Sequence, residues 1–261
     1  MNATLEVIHN RRSLRNFSTA PLAAEEKDAI LQATFRAPTA GNMMLYSIIE
    51  VEDQALKDRL AETCDNQPFI AKSPFVLLFL ADYQRWFDYF VACEVERKAR
   101  ELDRPTRLPE EGDLLLACCD ALIAAQTAVI AAESLGIGSC YIGDILENYE
   151  VHRDLFNLPR YTLPITLLCF GRPASGEMPS GHTPRFASEF IVHRNTYHRF
   201  NSVEFEQMHR QQQERLLANP NRPFNAENVG QAMYLRKFIA DFSIEMSRSV
   251  REMLKNWTVS S

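Results

Sequence analysis

The chain has 261 residues, 46% of them hydrophobic and 24% charged, with a formal charge of −6 at neutral pH. That is enough apolar mass for a substantial core, and it excludes a wholly disordered chain. The acidic balance argues against a nucleic-acid binder, which needs a basic face to displace counterions, and leaves room only for a local basic patch.

Residues 3–10, with Leu5 and Ile8 on one side, read as a short helix. It leads into Arg11-Arg12-Ser13-Leu14-Arg15-Asn16-Phe17, which places three guanidinium groups and a hydroxyl within five residues. A planar, permanently charged fork suits a phosphate monoester, although such a cluster taken alone equally fits a solvated surface. A second helix runs from Ala24 to Ala37, with Ile30, Leu31, Ala33 and Thr34 inward, and stops at Pro38. Pro38-Thr39-Ala40-Gly41-Asn42 is then a small polar turn whose backbone can lie close to a flat ligand. Together the two motifs suggest a phosphorylated, planar cofactor.

Tyr46 to Val51 reads as a strand and Gln54 to Cys64 as a helix. Phe75 to Ala81 and Pro164 to Phe170 are continuous apolar runs of strand length, the pattern of strands covered on both faces, and Phe190 to Val192 reads as a third. With helices between them, the expected fold class is α+β, one sheet packed between helices. The intervening stretch Gln84 to Gly112 opens with Trp86, Phe87, Tyr89 and Phe90 and continues through mixed charges to Pro105 and Pro109. Those rings either pack on the core or roof a ligand site.

Leu114 to Leu135 is almost wholly apolar and long enough to span a bilayer. Its alanine richness, with Asp120, Gln126 and Glu133, favours a buried core helix, one that needs neighbours on every side. Gly136 caps it, so the glycine-rich run to Gly143 closes a helix rather than opening one, and a dinucleotide fingerprint is rejected. Cys140 to Gly143 then forms a short extended piece that can lie against an aromatic ring system. After Phe200 the composition turns to Gln, Arg, Glu and Asn, and a long amphipathic helix carries Leu235, Phe238, Ile239, Phe242, Met246, Val250, Met253, Leu254 and Trp257. Its apolar stripe could fold back on its own core or grip a second subunit.

The six cysteines show neither zinc nor disulfide spacing and read as reduced thiols of a cytoplasmic protein. The N-terminal residues lack the features of a signal peptide. The six histidines carry no metal-ligand spacing, and neither a nucleophile elbow nor a phosphate-binding Walker loop is present, so neither a metal nor a catalytic side chain is expected.

In their order and spacing these motifs, with Gln67, Gly138 to Gly143 and Phe170-Gly171-Arg172-Pro173, resemble the nitroreductase family over roughly residues 5–195, most closely the branch of oxygen-insensitive nitroreductases and flavin reductases. The resemblance implies a nitroreductase-like α+β fold with a central, mostly antiparallel sheet, an intertwined homodimer, and one FMN at each of two sites built across the subunit interface. Carried onto this chain, Arg11, Arg12, Ser13 and Arg15 would hold the phosphate and ribityl chain, while Thr39, Ala40, Gly41 and Asn42 would come from the partner subunit. Gln67 would reach the polar edge of the isoalloxazine. Cys140, Tyr141, Ile142 and Gly143 would lie against the ring with a backbone N–H toward N5. Arg185 matches a second phosphate-binding arginine, although Thr183 stands where a relative has lysine.

The implied activity is a ping-pong one: NAD(P)H reduces FMN, and the flavin then reduces a small acceptor such as a nitroaromatic, a quinone or a free flavin. Trp86 and Phe90 are the candidates for selecting planar acceptors. The expected organisation is an FMN-binding domain over 1–200, with 84–112 as a helical lid, and a C-terminal helical extension over 201–261 that embraces the dimer. No nucleic acid and no membrane are expected as partners. The alternative is a flavin-storing or partner-binding protein without turnover.

Overall fold

The computed structural model describes residues 1–258. By internal contacts the chain divides into two compact units, residues 1–179 together with 245–261, and residues 180–244.

The first unit is built on a four-stranded antiparallel sheet in the order β1-β2-β4-β3, formed by β1 (Tyr46–Glu50), β2 (Phe75–Asp82), β3 (Gly138–Ile142) and β4 (Thr162–Gly171). Both apolar runs of strand length are the central strands, and every residue of β2 is buried. They sit in the middle because a strand apolar on both faces is stable only with both faces covered. Val76, Leu78 and Leu80 of β2 face Leu60 of α3 (Gln54–Thr63) and Ile70 of α4 (Phe69–Lys72). Phe75, Leu77 and Phe79 face Ile30 of α2 (Ala24–Thr34) and the alanines of α7 (Glu111–Ser134).

Ala117, Ala121, Ala124, Ala125, Ala128 and Ala132 make up much of the buried face of α7. Their small side chains let its backbone lie close to the sheet. The expectation of neighbours on every side is corrected: Leu115, Leu116, Leu122 and Ile123 are between 40% and 67% exposed. One side of an otherwise core helix is thus an open apolar stripe.

The remaining helices of this unit are α1 (Ala3–Asn10), α5 (Gln84–Ala92), α6 (Val95–Glu101) and α8 (Tyr149–Leu155). A third cluster closes the far end of the sheet, where Trp257 and Met253 of the last helix pack with Leu114, Tyr149, Tyr161 and Leu163. The Trp257 indole N–H donates to the Glu110 carbonyl at 3.1 Å.

In the second unit, α9 (Ser202–Ala218) starts at Asn201, whose side chain accepts from the Glu204 N–H while Glu204 reaches back to the Asn201 N–H. Gln213 ties α9 to the segment before α10 (Val229–Met233), donating to the Glu227 carbonyl and accepting from the Val229 N–H. Phe200 gathers Phe190, His193, His198 and Phe205 around it. Two expectations fail here. Phe190 to Val192 is no strand: Phe190 ends a short 3-10 turn, and its apolar residues lack the length and alternation of a strand. The long amphipathic helix is broken: a π-helical turn at Tyr234–Phe238 separates α10 from α11 (Asp241–Thr258).

Candidate functional site

The arginine segment is held against the outer edge of the sheet. Ser13 bridges Ser139 of β3, the Leu14 N–H donates to the Ser139 carbonyl at 2.9 Å, and the Ser18 N–H donates to the Arg172 carbonyl at 2.8 Å. Gly138 and Gly171 make this approach possible. A Cβ on Gly138 would stand 2.8 Å from a Leu14 methyl, and one on Gly171 2.8 Å from the Phe17 ring. Buried Leu14 and Phe17 anchor the segment, so Ser13 and Arg15, between and beside them, remain exposed.

This docking brings Arg11 and Arg15 beside Cys140, and Arg11 and Arg12 beside Glu133 near the end of α7. Among the described residues neither Arg11 nor Arg15 pairs with a carboxylate. Burial pushes the Glu133 carboxyl up to about 7 against the pull of Arg11 and Arg12, so this acid only partly offsets the cations. Burial also raises the Cys140 thiol, although Arg15 and Arg11 oppose it, and raises the Tyr141 hydroxyl to about 12. Both are neutral at physiological pH, which removes them as nucleophile or base.

Beyond Ser139 no further strand pairs with the outer edge of β3 among the described residues, so the backbone from Cys140 to Gly143 is open to a ligand. Gln67 stands at the far end of this edge. Its amide nitrogen donates to the Asp144 carboxylate at 2.6 Å and to the Cys64 carbonyl at 2.9 Å. Arg11, Arg12, Ser13 and Arg15 thus lie along the edge formed by Cys140 to Gly143, and Gln67 is tied to Asp144 just beyond it. The cations, the neutral edge strand and the amide fit a phosphate, a flat ring and the ring's polar edge, which are the parts of FMN.

The turn at 39–42 lies elsewhere. Asp120, within α7 and 3% exposed, accepts from the Thr39 hydroxyl, from the Ala40 N–H at 3.0 Å and from the Leu45 N–H at 3.0 Å. Gly41 and Asn42 are presented outward with φ of +56° and +58°. Asp120 and Glu133 are thirteen residues apart on one helix, which separates the turn from the arginines by about 20 Å along its axis. Trp86 belongs with the turn: its indole N–H donates to the Met43 carbonyl at 2.8 Å, and its ring meets Tyr89 and Phe90. Arg185, in the second unit, is exposed, and its guanidinium donates to the Thr183 carbonyl at 3.2 Å.

Sequence reasoning missed Asp120 as the clamp of the turn. An acid among alanines was the available signal, because a buried carboxylate needs donors. It missed Asp144 and Glu147 as well, which nothing in the local pattern distinguishes from surface acids.

A cationic segment docked on a sheet edge whose thiol and phenol are both neutral suits a protein that holds a phosphorylated planar cofactor and leaves the bond chemistry to that cofactor. The Nitroreductase family model matches residues 8–172, and the chain belongs to that family. It is 36% identical over 197 residues to an FMN reductase (NADPH) of Bacillus subtilis, covering 76% of this chain and 75% of the relative. It is 32% identical, over 76% and 75% of the two chains, to an oxygen-insensitive NADPH nitroreductase of Salmonella typhimurium. Among solved structures, the hypothetical oxidoreductase YcnD of Bacillus subtilis is similar with a TM-score of 0.79 and 28% identity, over 100% of this chain and 99% of that one.

Proposed function

We propose that the chain works as a homodimer whose two FMN sites are each completed by the turn at 39–42 of the partner subunit. The chain is an FMN-dependent oxidoreductase that draws electrons from NAD(P)H. The observation that carries the dimeric reading is the separation of the two half-sites, which stand toward opposite ends of α7 about 20 Å apart along its axis. The apolar stripe at Leu115, Leu116, Leu122 and Ile123, on the same helix, supports a second subunit seated there. Burying these half-exposed side chains contributes about 1 kcal/mol each.

When bound, FMN would supply the redox chemistry, a ping-pong exchange in which NAD(P)H is the hydride donor and a small electron-poor acceptor such as a nitroaromatic, a quinone or a flavin is reduced. Arg11, Arg12, Ser13 and Arg15 bind the phosphate and ribityl chain, with Arg185 as a further phosphate ligand. The open edge at Cys140, Tyr141, Ile142 and Gly143 offers backbone N–H donors to the ring, and Gln67 contacts its polar edge. Trp86 and Phe90 travel with the partner's turn and form the wall that selects planar acceptors, which makes 84–112 a lid. In this reading 1–200 is the FMN-binding domain and 201–261 the extension that embraces the dimer. The free state of all six cysteines supports a cytoplasmic setting.

The test is complementation between two variants. Arg15→Ala and Gly41→Trp each lose FMN binding as homodimers. Mixed and refolded together, they regain about one quarter of the wild-type sites, because half the dimers are mixed and each mixed dimer pairs one intact arginine segment with one intact turn. No recovery would place both halves of the site in one chain. Bleaching of the flavin spectrum on anaerobic addition of NADPH separates the enzyme from a flavin-storage protein.

A further inference from the structure

Beneath the Gln67 end of the site lies a pair of carboxyl groups that the chemistry above does not use. Glu147 is 5% exposed, and its Oε1 has no hydrogen-bond partner. Its carboxyl meets that of Asp144, the same group that accepts from the Gln67 amide. Two carboxyl groups meet in this way only if one of them keeps its proton.

The surroundings keep that proton in place. Glu147 is faced by Asp144 from its own turn, by Asp65 from the turn after α3 and by Glu245 from α11. Arg248 is taken up by Glu150 and Glu245, and the α8 histidine, His152, is buried and neutral, depressed to about 4 by burial. Burial, and then Asp144, push the Glu147 carboxyl up to about 8.

The amide of Gln67 is oriented by the same arrangement. Both of its N–H groups are spent on acceptors, the Asp144 carboxylate and the Cys64 carbonyl. A flipped amide would set its oxygen against the Cys64 carbonyl, so the amide oxygen is the atom left for a ligand. An oxidised isoalloxazine carries a single N–H, at N3, and an amide oxygen complements it.

We propose that Asp144 and the buried Glu147 beside it are positioning residues that lock the Gln67 amide with its oxygen toward the N3–H of the flavin. This rests on the reading that Gln67 contacts the polar edge of the ring. When Glu147 loses its proton, Asp144 faces a second negative charge without the O–H that bridged them, and the lock on Gln67 loosens. FMN binding then weakens with rising pH, and the flavin becomes harder to reduce beside the added charge.

The experiment is a titration of apoprotein with FMN, followed by flavin fluorescence between about pH 6.5 and pH 9, a window centred on the Glu147 carboxyl at about 8. The wild-type dissociation constant is expected to rise several-fold across that window. Glu147→Gln keeps a donor toward Asp144 at every pH, so it should match wild type at the acidic end and lose the step. Asp144→Asn frees the amide to flip and should weaken binding about tenfold throughout, the loss of one charge-assisted hydrogen bond. The midpoint potential of bound FMN should show the same step in the wild type and none in Glu147→Gln.

Identical pH profiles in wild type and Glu147→Gln, with FMN bound normally, would overturn this inference and leave the site intact. An Asp144→Asn variant that binds as tightly as wild type would do the same. A wild-type protein that binds no FMN would overturn the site and the inference together.

Discussion

At one end of α7, Arg11 and Arg15 stand without a carboxylate partner among the described residues; toward its other end, the turn at 39–44 is stitched down by Asp120, which accepts three hydrogen bonds, and by Trp86. The first region is electrostatically incomplete and the second is complete. In the proposed dimer, that is the difference between a surface that receives an anionic ligand and a surface that is delivered, rigid, to a ligand held by the partner. Incomplete charge costs stability in the free protein and is repaid on binding; a presented turn gains from being fixed beforehand.

The contrast can be broken most sharply at the arginines. Replacing Arg11 and Arg15 together by alanine should weaken FMN binding at least about 100-fold while the melting temperature stays level or rises, since no ion pair of the free protein is lost. A falling melting temperature, followed by circular dichroism, would show that these cations serve the fold. Asp120→Ala should act the other way round. It strands three donors and should cost about 3 kcal/mol in chemical denaturation.

The floor under the Gln67 end offers a pH test. His152 is fully buried, bonded to the Thr63 hydroxyl at 2.8 Å and to the Ile145 carbonyl at 2.9 Å, and depressed from 6.5 to about 4. Above about 6.5 the imidazole is neutral in both the folded and the unfolded chain. Below that the unfolded chain takes up a proton that the folded one refuses, so stability falls with pH and levels off near 4. A loss of about 2 kcal/mol between pH 7 and pH 4.5 is expected from this group; His152→Gln should reduce the slope by that amount. The smallest effect belongs to Trp86→Phe, which deletes one N–H donor to Met43 and should cost about 1 kcal/mol, with a change in the relative rates for planar and bulky acceptors.

Much of the first unit was legible in the chain. The continuous apolar runs Phe75 to Ala81 and Pro164 to Phe170 read as strands covered on both faces and are the two central strands, and the alanine richness of α7 marked a buried core helix. What was hidden depended on partners far away in sequence. β3 could be read as a short extended piece but not as an edge, because an edge is defined by what fails to pair with it. The open stripe of α7 looked like core, since hydrophobicity alone does not say whether its cover comes from the same chain. The π-helical break at 234–238 interrupts a periodicity that is otherwise helical throughout, and no glycine or proline marks it. Asp144 and Glu147 gain their meaning only from their distance to Gln67.

Trp257 seals the first unit from a position beyond the whole of residues 180–244. Its contact with Glu110 spans 147 residues. During synthesis, therefore, the pocket lined by Tyr149, Tyr161 and Leu163 stays unroofed while the entire second unit emerges. The nascent chain must carry an apolar opening through that interval. A protein cut after residue 179 keeps the sheet, the arginines and the edge of β3, yet never acquires the stopper that closes the hydrophobic chamber behind them.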